Sequence, residues 1–284
     1  MHISSLSCWG LTQDEEWGSK MLKHKLRNLL LDFDVMAFRA TPAKDVEDFV
    51  KKLKPVNVQR RLIRVGGDGD GGYLVPDDLD GLAGCFSPGV DVTASFETDL
   101  LQRGVPSYLA DKSVDAPPPE LDRFTFDKKF LGASDNEEFM TLESWFRKYV
   151  EPSNQSDFLL QMDIEGAEYG VLLNCPAWLL KRFRIVVMEF HNLFSLYEPV
   201  AFSLMRDAIN KLLDDFYVVH IHPNNCSGTI ESHGLSVPGV VEMTFLRKDR
   251  PISRDAGALS FPHPLDRRCI ASRDEVVLPD CWYN

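Results

Sequence analysis

Five short runs in this 284-residue chain combine glycine, carboxylates and imidazoles at spacings that could do chemistry. They are Ser87-Pro88-Gly89, Asp111, Asp163-Ile164-Glu165-Gly166, Glu189-Phe190-His191 and His220-Ile221-His222. Each closes an apolar stretch. If those stretches are parallel strands, the five runs lie along the carboxyl edge of one sheet, where open α/β sheets bind their ligands. A glycine at such an end lets the backbone approach a nucleoside closely, although a lone Gly after a strand is common. A carboxylate at the position of Asp111 can accept two hydrogen bonds from ribose hydroxyls. A helix cap or a surface charge accounts for Asp111 equally well.

Asp163 and Glu165 point the same way if their strand continues. Glu168 falls on the next helical turn, where its charge favours the dipole. Carboxylates so placed can bind a divalent ion, orient an ammonium group or act as a base, and they can also simply cap a helix. Glu189 and His191 are two apart and share a face, as do His220 and His222. Histidine is the usual base near neutral pH and a ready metal ligand, while a single His at a strand end is often structural. Asp163, Glu189, His191 and His222 together are a candidate ligand set for Mg²⁺ or Mn²⁺. His191 is the expected base, His222 its alternative, and Asp163 is expected to orient a cofactor or metal. The run Gly66 to Tyr73 begins like a calcium loop but lacks the full ligand set and the closing Glu. It reads as a tight turn, either a plain hairpin or one that brings Tyr73 or the backbone toward a substrate.

The elements that must position these residues alternate between strand and helix. Short strands are expected at Arg61–Val65, Tyr73–Val75, Cys85–Ser87, Ser107–Ala110, Phe158–Met162, Ile185–Met188, Phe216–Ile221 and Val240–Leu246, and helices at Phe96–Gln102, Thr141–Val150 and Pro199–Leu213. Pro117-Pro118-Pro119 is a stiff loop. Phe216 to Leu246 lacks a helical pattern, so its two strands should pair antiparallel. The fold class is therefore α/β, a mostly parallel twisted sheet with one antiparallel strand and helices on both faces. Ahead of it, Met21–Ala40, with Leu22, Leu26, Leu29, Leu30 and Phe33 at helical spacing, and Ala43–Leu53 read as two helices. They divide the chain into an N-terminal helical cap at 1–60, a main domain at 61–247 and a tail at 248–284 packed on the body. The cap covers a sheet edge or forms part of an acceptor lid.

The 31 basic and 43 acidic residues give a net charge of -12, which disfavours nucleic acid and anionic membranes as partners. No stretch approaches the roughly 18 apolar residues of a membrane span. Met1 to Lys20 contains Asp14, Glu15 and Glu16 and reads as no secretory leader. Six scattered cysteines without a CxxC pair read as free thiols in a reducing cytoplasm, with Cys269 and Cys281 the pair least certain to stay apart. Nothing in the sequence sets an oligomeric state.

The run Phe86-Ser87-Pro88-Gly89-Val90, then Ser95-Phe96-Glu97, Asp111, Gln161-Met162-Asp163-Ile164-Glu165-Gly166-Ala167-Glu168 and Glu189-Phe190-His191 resembles the FkbM-like SAM-dependent methyltransferases. The likeness covers roughly Arg61 to Arg247, and Asp-Ile-Glu-Gly-Ala-Glu after an apolar strand is its most specific piece. Asp91 departs from it, where many relatives have a second glycine. The resemblance implies a class I, Rossmann-like methyltransferase fold. It implies S-adenosyl-L-methionine (SAM) bound by Ser87, Pro88, Gly89, Glu97, Asp111 and Asp163. It also implies a small-molecule or glycan acceptor methylated on a hydroxyl. Two other readings compete. One is a metal-dependent glycosyltransferase using Asp163 and Glu165. The other is a methyltransferase-like fold kept as an interaction module.

Overall fold

The computed structural model describes residues 13–90, 93–116, 124–253 and 259–283. Cys8, Asp91 and Pro117 to Pro119 lie outside them. The chain divides into two compact units at Thr41. In the first, α1 (Gln13–Leu31) ends nine residues before the expected stop at Ala40. The Val35 N–H donates to the Leu30 carbonyl at 2.9 Å and the Asp34 N–H to that of Leu31 at 3.0 Å. Asp34 sits in the left-handed region at φ 57°. This paired closure terminates a helix, and Asp tolerates the position because its side chain is short and polar.

The second unit begins with α2 (Ala43–Val50), continued by a 3₁₀ turn at Lys51–Leu53. Val46, Phe49, Val50 and Leu53 of this stretch join the main hydrophobic core. The helix therefore belongs to the body, while residues up to Ala40 form the other unit. Next come β1 (Leu62–Val65) and β2 (Tyr73–Pro76), an antiparallel hairpin closed by the glycine-rich turn. The sequence then alternates through β3 (Cys85–Pro88), α3 (Ser95–Gln102), β4 (Ser107–Ala110) and β5 (Thr125–Asp127). A two-strand parallel pair follows, β6 (Phe130–Leu131) with β7 (Phe139–Met140), and then α4 (Leu142–Tyr149). The Thr141 hydroxyl caps α4 by accepting the Ser144 N–H at 3.1 Å.

The next segment runs β8 (Phe158–Met162), α5 (Glu168–Asn174), α6 (Ala177–Leu180), β9 (Phe183–Phe190) and α7 (Pro199–Asp215). Last are β10 (Phe216–Pro223), the hairpin β11 (Thr229–Ser232) with β12 (Leu235–Pro238), and β13 (Val241–Arg247). Seven strands form one sheet in the order β10-β13-β9-β8-β3-β4-β5. The pairs β8–β9, β3–β8, β3–β4 and β4–β5 are parallel, and β13 is antiparallel to both neighbours. This is the expected class I architecture, with the antiparallel strand inserted between β10 and β9. No helix among the described residues is long and apolar enough to cross a membrane.

Alternation along the strands sorts side chains onto two faces. Phe86, Leu160, Met162, Val186 and Met188 face a core covered by α2, α4, α5, α6 and α7. Cys85, Leu159, Ile185 and Val187 face a second core shared with α3 and the β1–β2 hairpin. Phe86 anchors the first, with ring centroids of Tyr108, Trp145, Phe146, Phe158 and Phe183 at 4.7–6.2 Å. Truncating such a ring costs ~3–5 kcal/mol. Strand order turns back between β3 and β8. That reversal opens a crevice at their carboxyl ends, where ligands of open α/β sheets bind.

Candidate functional site

The crevice holds a cavity of about 590 Å³. On one side, Gly89 and Val90 follow β3, Asp111 follows β4, and Glu97 comes from α3. Asp163, Ile164 and Glu165 follow β8 on the other. Asp70, Gly71 and Tyr73 enter from the β1–β2 hairpin, so the glycine-rich turn lines the cavity. Phe130, Leu131 and Phe139 also line it. Among the described residues, five acidic ones, Asp70, Glu97, Asp111, Asp163 and Glu165, line the cavity, and no lysine, arginine or histidine does.

Gly89 has φ +86°, and a Cβ there would come within 1.6 Å of the Asp163 carbonyl oxygen. Its first reason to be glycine is thus the contact between the ends of β3 and β8, beyond any approach to a ligand. Ser87 and Pro88 are buried in β3 behind the cavity wall. The Ser87 hydroxyl faces Glu97 Oε1 and lies 2.6 Å from Gln161 Oε1. Burial raises the Glu97 carboxyl, partly opposed by Ser87. Asp111 is 6 % exposed. Its Oδ1 accepts the N–H and hydroxyl of Ser113 at 2.7 and 2.6 Å, which fixes the carboxylate against the cavity.

Strand β8 stops at Met162, as expected, so the strand alternation that would point Asp163 and Glu165 the same way does not extend to them. Glu165 adopts a left-handed backbone at φ 57° and is 88 % exposed at its side chain. Its carboxylate still reaches the same point as Asp163. His191 Nε2 stands 3.7 Å from Asp163 Oδ1 and 3.5 Å from Glu165 Oε2. His191 Nδ1 lies 3.0 Å from Oε1 of Glu168, which is wholly buried. The same oxygen accepts the N–H groups of Ile164 and Gly166 at 3.2 and 3.1 Å. Glu168 therefore ties the loop after β8 to the imidazole after β9. Tyr169 reinforces the junction by donating its hydroxyl to the His191 carbonyl at 2.7 Å.

Burial raises Asp163, with Glu165, Asp70 and Glu168 acting the same way against the His191 charge. Burial works to lower His191, but the hydrogen bond and charge of Glu168 and the charges of Asp163 and Glu165 outweigh it, so its value is raised. Glu189, inside β9 rather than at its end, is also raised by burial and by Asp163. It accepts from Asn224 Nδ2 at 2.9 Å and meets the Tyr73 hydroxyl at 3.5 Å. The Tyr73 hydroxyl is 3.4 Å from Asp163 as well.

Of the four candidate metal ligands, the structure brings Asp163 and His191 together with Glu165, each offering one atom within 4.8 Å of the others. Glu189 stands beside this group, and His222 is turned elsewhere. His222 Nδ1 is 3.3 Å from Glu242 and Nε2 is 2.6 Å from Glu275 of the tail. Burial lowers its basicity, but the bond and charge of Glu242, with Asp266 and Glu275, raise it to about 9. His220 Nε2 meets Asp266 at 2.8 Å. The HxH pair thus holds the tail to β10. Sequence reasoning missed Phe130, Leu131 and Phe139, because their strands are two residues long and carry no readable period.

No curated protein matches this chain. Among solved structures it is similar to a fibrillarin/Nop5p complex, at 14 % identity and TM-score 0.35, over 59 % of this chain and 73 % of that one. It is also similar to a putative hemolysin from Streptococcus thermophilus, at 15 % and 0.32, over 60 % and 62 %. A third is magnesium protoporphyrin IX methyltransferase from Synechocystis with bound SAH, at 15 % and 0.31, over 60 % and 76 %. Likenesses this distant say nothing of activity. The family model described as the methyltransferase FkbM domain matches residues 34–216. That span is more than half the chain and contains β3, β4, β8, β9 and the cavity residues they carry, so the chain belongs to the FkbM methyltransferase domain family.

Proposed function

We propose that this protein is a SAM-dependent O-methyltransferase acting on a hydroxyl of a sugar or glycan. The cavity at the reversal between β3 and β8 carries this reading. Its acidic wall suits a ligand whose sulfonium and ammonium groups give it net positive charge. Asp111 would take the ribose hydroxyls, and Phe130, Leu131 and Phe139 would flank the adenine. Gly89 and Glu97 bound the space for the rest of the cofactor. The acceptor oxygen attacks the methyl carbon, the carbon–sulfur bond breaks toward sulfur, and the hydroxyl proton passes to a carboxylate of the cavity wall, Asp163 or Glu165, beside which His191 stands. His191 and Asp163 are the catalytic candidates there. Holding the reactants in line can supply ~7–11 kcal/mol of the barrier. His222 has both ring nitrogens engaged by carboxylates and serves to dock the tail.

The sugar acceptor rests on the family resemblance. The five cysteines among the described residues, Cys85, Cys175, Cys226, Cys269 and Cys281, are free, which supports a reducing compartment such as the cytoplasm. The test is release of S-adenosylhomocysteine (SAH) from SAM with a panel of free sugars, nucleotide-linked sugars and glycans. Turnover with at least one hydroxyl acceptor is expected. SAH release only with amine or thiol acceptors overturns the O-methyl assignment.

A further inference from the structure

We propose that Asp163, Glu165 and His191 form a binding site for one divalent cation, with Glu168 as the buried group that orients the imidazole. The observation is a convergence of three acceptors. Glu168 Oε1 already accepts two backbone N–H groups, so it meets His191 Nδ1 as an acceptor and the Nδ1 proton points at it. A neutral imidazole then directs its Nε2 lone pair toward Asp163 Oδ1 and Glu165 Oε2, at 3.7 and 3.5 Å. These separations are too long for hydrogen bonds. They are close to the edge of a coordination polyhedron, since ligands about 2.0–2.2 Å from one ion stand roughly 3.0–3.5 Å apart. The three ligand atoms fit within 4.8 Å of one another, and Glu165, being 88 % exposed, is free to close the remaining gap.

Charge points the same way. Among the described residues, no lysine or arginine pairs with Asp163, Glu165, Glu168 or Glu189. Glu168 Oε2 is buried without a hydrogen-bond partner. Positive charge can therefore arrive at His191, as a second proton or as a cation on Nε2. The arrangement of carboxylate, histidine and ion is the one that orients metal-binding imidazoles in general. One nitrogen and two carboxylate oxygens suit Mn²⁺ and related first-row dications, with Mg²⁺ weaker because of the imidazole. Three protein ligands leave positions open. Asp163 and Glu165 line the cavity, so those positions face it. There the ion's charge can hold and acidify an acceptor hydroxyl. Only that role rests on the methyl-transfer reading, and the binding itself does not.

The experiment titrates the full chain with Mn²⁺ alone, following free ion by electron paramagnetic resonance, with SAH affinity measured on the same samples. One Mn²⁺ per chain is expected. Glu165→Gln and His191→Ala should each abolish measurable binding, with His191→Gln the second variant if the alanine form does not fold. Glu168→Gln should weaken binding about 10–100-fold, the usual effect of losing an orienting partner. Exposed Glu47→Gln on α2 should change nothing. Mn²⁺ bound stoichiometrically by a protein that ignores SAH would uphold the site and remove the methyl-transfer reading. SAH binding with no Mn²⁺ uptake at millimolar ion, or uptake undiminished in both the Glu165 and His191 variants, overturns the site.

Discussion

Glu168 and Gly89 show how single residues set the geometry of this cavity. Glu168 gathers two loop amides and an imidazole onto one oxygen, so the ends of β8 and β9 are tied together. Its sequence position suggested a favourable charge at a helix start, or one of the carboxylates of a site. The burial that makes it an orienting group comes from tertiary packing, which spacing cannot report. Gly89 was legible as a required glycine, but the reason lay one strand away, in the Asp163 carbonyl. Gly89→Ala should therefore destabilise the protein by ~3 kcal/mol or more, combining a left-handed alanine with a backbone clash. Urea denaturation checks this. A loss under ~1 kcal/mol would show that the two strand ends part easily.

Among the elements, those with long apolar or periodic stretches were readable. Strands β4 and β8 occupy the residues expected of them, and α4 starts at its Thr141 cap. Strand β9 is longer at both ends than its expected core, because Phe183 and Phe190 are buried too. The β11–β12 hairpin was not read, since its outer strand is largely exposed and has no apolar face. The HxH run on β10 was read as chemistry because two imidazoles on one face suit a metal. The carboxylates that claim them, Asp266 and Glu275, lie more than forty residues away in the tail. This contact makes tail docking depend on pH. His222 is raised from its ordinary value of 6.5 to about 9, facing Glu242 on β13 and Asp266 and Glu275 on the tail, with Arg268 also on Glu275. A base raised on folding stabilises fully below its unfolded value, and that stability fades as pH rises through the folded value. The melting temperature should accordingly fall more between pH 7 and 10 in the wild type than in His222→Gln. Parallel curves would mean that His222 docks the tail without its charge.

For the whole molecule, the strand order and the sign of the cavity wall decide what can bind. Alternating strands and helices made the mostly parallel sheet legible, since parallel strands covered on both faces follow from that pattern. The cavity's composition was not legible, because its five acids come from four separate stretches that only the fold unites. The net charge of -12 is therefore not just a surface property, since part of it faces the site. The measurement that bears most directly on a SAM site in this cavity is calorimetric titration of the full chain with SAH, in the wild type and in Asp111→Ala. The wild type should bind one SAH per chain at micromolar strength. The variant should bind it at least tenfold more weakly, in line with ~1.5–3 kcal/mol for hydrogen bonds to a charged group. A folded wild type that takes up no SAH at millimolar concentration, or an Asp111 variant of undiminished affinity, would contradict the account.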